Sequence, residues 1–223
     1  MELRKLVDSK MSDSKSWNWR KVSSDYWKKP AEEFIPILDR WKENKFSKVL
    51  DLGCGIGRHS IVLAENGFNV TAQDLSAYGI IKLKEKIKKG NLSLQCIVAD
   101  MKELTFPNDS FDCIVAYHTI QHTDLVGIQK VISQIYSILK KDGEAYITFA
   151  SKNSDSWQKH IESHIDENTL IKNEEPEIGI PHTYLNEGQV QEMLHSFKII
   201  KMEEIIKFLP NKKLAHFYTL VKK

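Results

Sequence analysis

The chain has 223 residues, 41% of them hydrophobic and 28% charged, which suits one domain with a sizeable core and argues against disorder. Its 32 basic and 30 acidic residues leave a formal charge of +2, so there is no electrostatic case for a dedicated nucleic-acid binder. Three cysteines, Cys54, Cys96 and Cys113, are too few and too widely spaced for a disulfide framework or a zinc site with paired ligands, and read as free thiols.

From the amino terminus, residues 1–45 carry Trp17, Trp19, Trp27 and Trp41 among charges and read as a helical cap over the sheet or its ligand. The first 21 residues show no apolar stretch before a small-residue cleavage site, and no apolar run reaches the roughly 18–20 residues of a bilayer span. A cytosolic protein with no membrane partner is expected. Residues 46–150 alternate short β-branched runs with amphipathic stretches, the pattern of strands joined by crossover helices. Strands are predicted at 48–52, 69–73, 94–99, 113–117 and 144–149. Helices are predicted at 58–66, 77–89 and 125–140, each closed by Gly67, Gly90 or Asp142 with Gly143. Residues 151–185 are polar, with Pro176 and Pro181, and read as a lid or acceptor-pocket insertion. Residues 186–223 read as a helix and two strands that complete the same domain. The fold class is α/β, and ligands of such sheets lie beyond the carboxyl ends of the strands.

The sharpest motif is Val49-Leu50-Asp51-Leu52-Gly53-Cys54-Gly55-Ile56-Gly57-Arg58-His59, a buried strand that runs into a glycine turn and then a helix. Glycines let the backbone turn tightly and approach a ligand, leaving amides exposed at a helix start. The position five after Gly53 is Arg58, and Asp51 precedes the turn, so the pyrophosphate fingerprint is weakened; a phosphate loop ending in Gly-Lys-Ser is absent. An acid before the turn repels phosphate but suits a cationic ligand, which points to an amino acid bearing a sulfonium. Asp74, at the end of the second strand, is placed to accept from both ribose hydroxyls. Asp100 closes the third strand beside Met101, an acceptor next to an apolar contact, as adenine requires. Each acid also has a local reading: Asp51 as a cap, Asp74 as the partner of Ser76, Asp100 as a turn residue.

The series VLDLGCGIGRH, VTAQD, IVADM, FDCIVAYHTIQH and LKKDGEAYIT resembles the successive motifs of class I S-adenosylmethionine-dependent methyltransferases over about residues 46–150, nearest to the small-molecule type. The resemblance implies a Rossmann-like three-layer sandwich with a seven-stranded, mostly parallel sheet whose last strand is antiparallel. It implies S-adenosylmethionine as cofactor and S-adenosylhomocysteine as product, with Gly53 and Gly55 against the methionine part, Asp74 on the ribose, and Asp100 with Met101 framing the adenine. Asp51, Cys54, Arg58, Leu75 and Tyr117 are the remaining expected cofactor contacts.

Methyl transfer from a sulfonium is an in-line displacement, so positioning carries much of the catalysis and a base matters only for a hydroxyl or protonated amine acceptor. After the fourth strand, His118 and His122 are the candidate proton acceptors, four apart and on one face if that segment is helical. As metal ligands the pair lacks the glutamate of a metalloprotease helix and a third partner, so no metal is expected. Tyr117-His118-Thr119-Ile120 lacks the Asn/Asp-Pro-Pro-aromatic signature of enzymes acting on base amines, and no Pro-Cys pair is present for cytosine chemistry. A small-molecule acceptor is expected and DNA is not. Tyr26 and Trp27, with His182 and Tyr184 from the insertion, are the residues expected to cover the donor and face the acceptor. The alternatives are a non-catalytic adenosyl-binding or scaffold protein of the same fold, and a nicotinamide oxidoreductase, which Arg58 and Asp51 disfavour.

Overall fold

The computed structural model describes residues 14–209 and 212–223; residues 1–13 of the expected amino-terminal cap lie outside the described part. Nine strands are present among the described residues: β1 (Lys48–Leu52), β2 (Asn69–Asp74), β3 (Gln95–Val98), β4 (Phe111–Ala116), β5 (Leu139–Ser151), β6 (Thr169–Ile171), β7 (Pro181–Leu185), β8 (Lys198–Leu209) and β9 (Lys212–Lys222). The described residues also form six α-helices: α1 (Ile35–Glu43), α2 (Arg58–Glu65), α3 (Ala77–Gly90), α4 (Leu125–Ile138), α5 (Asp155–Gln158) and α6 (Glu187–Met193). All nine strands join one sheet, seven of them in the order β3-β2-β1-β4-β5-β9-β8, with β7 and β6 branching from the edge of β5. Strands β1 to β5 run parallel, and the last strand, β9, runs antiparallel to both its neighbours. The expected mostly parallel sheet with an antiparallel last strand is therefore present, with β6 and β7 raising its seven expected strands to nine.

Alternation along each strand sorts the core into two layers. Leu50 and Leu52 of β1, Ile114 and Ala116 of β4 and Ile147 and Phe149 of β5 face the layer that contains α4, while Val49, Cys113, Val115 and Tyr146 face α1 and α2. Helix α4 buries Ile128, Val131, Ile132, Ile135 and Ile138, a spacing that keeps one face on the sheet. Full burial of each such side chain is worth about 1.5–3 kcal/mol. The helix starts where the Asp124 carboxylate accepts from the Gly127 amide at 2.8 Å. It ends two residues before the predicted Lys140, because Leu139 is fully buried opposite Phe111 and draws the chain into the sheet. On the other face, buried Glu144 accepts from Arg40 Nε and Nη2 and from Trp41 Nε1, which ties α1 to β5.

The insertion read as polar residues 151–185 contributes sheet as well as loop. Strand β7 extends the carboxyl end of β5 through Ala150–Tyr184 and Ser151–Leu185, and β6 pairs antiparallel with β7. Leu170, Tyr184 and Ala150 pack together against Trp157, an apolar cluster whose residues are too scattered in sequence to show a period. Among the described residues, no helix is long and apolar enough to cross a membrane.

Candidate active site

The turn after β1 is built for close approach. Gly53 and Gly55 take left-handed backbone at φ 71° and 56°, and the Gly53 and Cys54 amides both donate to the Gln73 carbonyl at 2.8 and 3.0 Å, pinning the turn to the end of β2. A Cβ on Gly53 would fall 1.9 Å from Thr119 Oγ1, and one on Gly55 2.2 Å from Cζ2 of the Trp19 indole. At the end of β2, Asp74 Oδ2 accepts from the Gly55 amide and Oδ1 from the Ser76 amide, both at 2.7 Å. Burial raises this carboxyl above its ordinary range, opposed by those two amides.

The three strand-end acids have different fates. Asp74 lines the crevice beside Gly53, Arg58, Tyr117 and His118, and each of its oxygens retains a lone pair beyond its amide partner. Asp51 does not reach the crevice: it is 2% exposed and accepts from the Ser60 hydroxyl, and burial pushes its carboxyl up to about 6. Asp100 caps its own turn, its Oδ1 accepting from the Lys102 amide at 2.8 Å and its carbonyl from Gln73 Nε2 at 3.1 Å. Met101 packs against the α4 core, and neither it, Asp100 nor Leu75 lines the crevice. Asp74 thus keeps its bond to Ser76 and Asp100 its place in a turn, while Asp51 is held by the Ser60 side chain rather than capping α2, and of the three only Asp74 lines the crevice.

That space is largely filled by the protein itself. Trp17, Trp19 and Trp27 lie over the turn and leave a cavity of about 50 Å³, room for a water or two. Among the described residues, the Trp17 and Trp19 Nε1 atoms are buried without a hydrogen-bond partner. The donors and acceptors present, namely Asp74, the glycine turn and two orphaned indole N–H groups, fit an adenosyl amino acid in chemistry. Admitting a ligand of that size requires the Trp17–Trp19 stretch to move, a condition the sequence reading did not contain.

Arg58 sits in an aromatic box, its guanidinium 4.9 Å from the Trp27 ring centroid, 4.8 Å from Tyr117 and 5.2 Å from Tyr26, with Nη1 donating to the Tyr26 carbonyl at 3.3 Å. This anchors the amino-terminal segment to α2. His59, its neighbour, turns into the core, where its Nε2 accepts from the Ala31 amide.

A second cavity of about 580 Å³, within the usual range for small-molecule sites, adjoins the crevice. Tyr26, Trp27, His118, His122, His182 and Tyr184 all line it. His118 and His122 meet there without a helix: the chain from 117 to 124 is a turn, with His118 at φ 52° and the His122 amide donating to the Thr119 carbonyl. His118 stacks between Tyr117 at 4.3 Å and His216 at 4.0 Å. Burial pushes His118 well below its ordinary value, His122 down to about 3 and His216 to about 4, so these imidazoles are neutral near pH 7. His216 and Glu177 were missed in the sequence: the first sits on a strand with no motif, the second in the polar insertion. Glu177 supplies, with His182, the partners that the His118 and His122 spacing lacked, since the ligand atoms of His122, Glu177 and His182 lie within 4.8 Å of one another.

Residues 49–143 match a family model described as a methyltransferase domain. The chain is 31% identical over 132 residues to a glycine/sarcosine N-methyltransferase of Aphanothece halophytica, covering 56% of this chain and 46% of that one. It is 27% identical over 154 residues to a ubiquinone biosynthesis O-methyltransferase of Rickettsia typhi, covering 62% and 61%. The chain therefore spans roughly half the length of these curated relatives. Among solved structures, a SAM-dependent methyltransferase of Methanosarcina mazei superposes with a TM-score of 0.73 at 20% identity, covering 84% of this chain and 97% of that one. A 1,6-didemethyltoxoflavin-N1-methyltransferase of Burkholderia thailandensis, with bound 1,6-didemethyltoxoflavin and S-adenosylhomocysteine, gives a TM-score of 0.65 at 18% identity over 99% of this chain and 87% of that one. At such identities the likeness is one of fold. Residues 49–143 thus carry the sequence pattern of a methyltransferase domain, and the chain, closed by the antiparallel β9, shares its fold with S-adenosylmethionine-dependent methyltransferases.

Proposed function

We propose that the chain transfers a methyl group from S-adenosylmethionine to a small molecule held in the 580 Å³ cavity. The observation that carries this reading is a shared wall: Trp17, Trp27, His118 and His122 line both the crevice at the glycine turn and the larger cavity. A donor and an acceptor in those two spaces meet at the same side chains, the arrangement in-line transfer needs. The relatives named for glycine/sarcosine and for ubiquinone biosynthesis support a small-molecule acceptor.

S-adenosylmethionine supplies an electrophilic methyl on a sulfonium. Asp74 accepts from the ribose hydroxyls, the Gly53–Gly55 backbone allows close approach, and Arg58 and Tyr117 complete the crevice wall. Trp17 and Trp19 swing aside to admit the ligand and, with Tyr26 and Trp27, close over it to exclude water. The neutral imidazole of His118, at the junction of the two spaces, accepts a hydrogen bond or proton from the acceptor's hydroxyl or amine. His182 and Tyr184 form the far wall.

A second reading, an adenosyl-binding protein without acceptor chemistry, is favoured by one observation, the burial that holds His118, His122 and His216 below their ordinary range and so weakens them as bases. Formation of S-adenosylhomocysteine in the presence of a panel of amine, phenol and carboxylate metabolites tests the two. Acceptor-dependent turnover supports transfer; saturable adenosyl binding with no turnover on any acceptor class supports the second reading.

A further inference from the structure

We propose that His122, Glu177 and His182 form a binding site for a divalent first-row transition ion of the zinc type on the wall of the larger cavity. The three come from separate places in the chain, the turn after β4, the loop before β7 and β7 itself, yet their ligand atoms fall within 4.8 Å of one another. Two imidazoles and one carboxylate are a donor set that zinc and its neighbours favour, with a position left open toward solvent or substrate.

The hydrogen bonding of His182 points the same way. Its Nδ1 lies 3.1 Å from the Ile180 carbonyl and its Nε2 2.9 Å from Glu177 Oε1, so both ring nitrogens face oxygen acceptors. With an ion on Nε2, the Nδ1–H still donates to Ile180, the backbone contact that commonly orients a ligating imidazole, and the Nε2 proton leaves to solvent. Two ligands about 2.0–2.1 Å from a tetrahedral ion stand roughly 3.3 Å apart, so Nε2 and Oε1 need separate by only a few tenths of an ångström. Glu177 Oε2 faces Lys172 Nζ at 4.0 Å, which leaves Oε1 for the histidines. The His122 and His182 rings meet edge to face with centroids 4.6 Å apart. Gln121, which lines the same cavity and is 5% exposed, buries its Oε1 with no hydrogen-bond partner, an acceptor available to a water or substrate group on the ion.

The site stands on its own residues and does not depend on methyl transfer. Its open side faces the cavity, so an acceptor bearing an anionic oxygen is the class it would hold, an extension that does rest on the proposed function.

The test is a titration of the full, untagged chain, stripped with chelator, with Zn²⁺ by calorimetry and with Co²⁺ by its visible absorption. One equivalent per chain is expected, weakened at least tenfold in His122→Asn, Glu177→Gln and His182→Asn and unchanged in His195→Asn, whose side chain is exposed. Should those variants misfold, the unaltered chain decides: Zn²⁺ should shift the ring-nitrogen resonances of His122 and His182 and leave those of His160 and His195 in place. Absence of saturable uptake by the folded chain, or uptake that ignores all three substitutions, overturns the proposal. Asp74→Lys should keep the metal site, so its loss cannot be confused with a failure of adenosyl binding.

Discussion

The indole of Trp19 lies directly on Gly55, where a Cβ would fall 2.2 Å from its Cζ2. A donor cannot enter the crevice with this side chain in place, so the open form is a minor state whose cost reduces the apparent affinity. Trp19→Ala removes the obstacle. Binding of S-adenosylhomocysteine should tighten by about 5- to 30-fold, corresponding to about 1–2 kcal/mol. Weaker binding by calorimetry would show instead that the contacts of the indole with the bound ligand outweigh the cost of displacing it.

His118 separates binding from chemistry. It lies at the junction of the two cavities and is neutral because burial and the neighbouring His216 disfavour its charged form. His118→Ala should lower kcat by about a hundredfold, the low end for removal of a general base, while S-adenosylhomocysteine affinity stays within about threefold. The pH profile of the unaltered chain should show no loss of rate near pH 6.5 attributable to His118, His122 or His216, since all three are held below their ordinary range. A kcat unchanged by the substitution removes His118 from the chemistry.

Asp51 gives a pH signature in stability. Burial raises its folded-state carboxyl to about 6 from 3.8. Between those values the folded chain binds the extra proton, so this group makes stability fall as pH rises, with the full penalty present above about pH 6. Asp51→Asn removes that slope. Relative to the unaltered chain, the variant should be about equally stable at pH 4 and more stable at pH 7, by an amount on the order of 2–3 kcal/mol in urea unfolding. A pH-independent difference would contradict the assignment.

Glu144 holds α1 to the sheet through one carboxylate. Its Oε2 accepts from Trp41 Nε1 at 3.1 Å, and Arg40 Nη2 reaches Oε1 at 2.7 Å. Glu144→Ala leaves a buried indole N–H unpaired. Arg40 is 42% exposed and turns to water, so the expected loss is about 2–3 kcal/mol, below the 3–5 of a fully buried pair. Glu144→Gln keeps an acceptor for Trp41 and should cost less. Equal urea midpoints for the two variants would place the loss elsewhere.

Much of this architecture is legible in residue order, because the evidence is local. Buried strands β1, β2 and β4 end in recognisable turns, and Gly53 and Asp74 are fixed to those ends by backbone geometry. Ser76 and Asp124 start their helices where a capping side chain stands before an apolar run. The illegible part depends on contacts made at a distance. Nothing in the order of residues shows that Trp19 packs on Gly55, or that Asp51 is drawn away from the crevice by Ser60. His122 and Glu177 are 55 positions apart and join because β7 extends β5 by two residue pairs and its Thr183 donates to the Gln121 and Thr123 carbonyls, contacts with no periodic signal.

The most direct measurement is calorimetric titration of the chain and of Asp74→Lys with S-adenosylmethionine, S-adenosylhomocysteine and NAD. Each adenosyl sulfur compound should bind one per chain and NAD should not. Asp74→Lys should lose at least tenfold in affinity, since hydrogen bonds to a charged acceptor are worth about 1.5–3 kcal/mol each. Failure of both sulfur compounds to bind, or affinity in the lysine variant equal to that of the unaltered chain, would contradict the account.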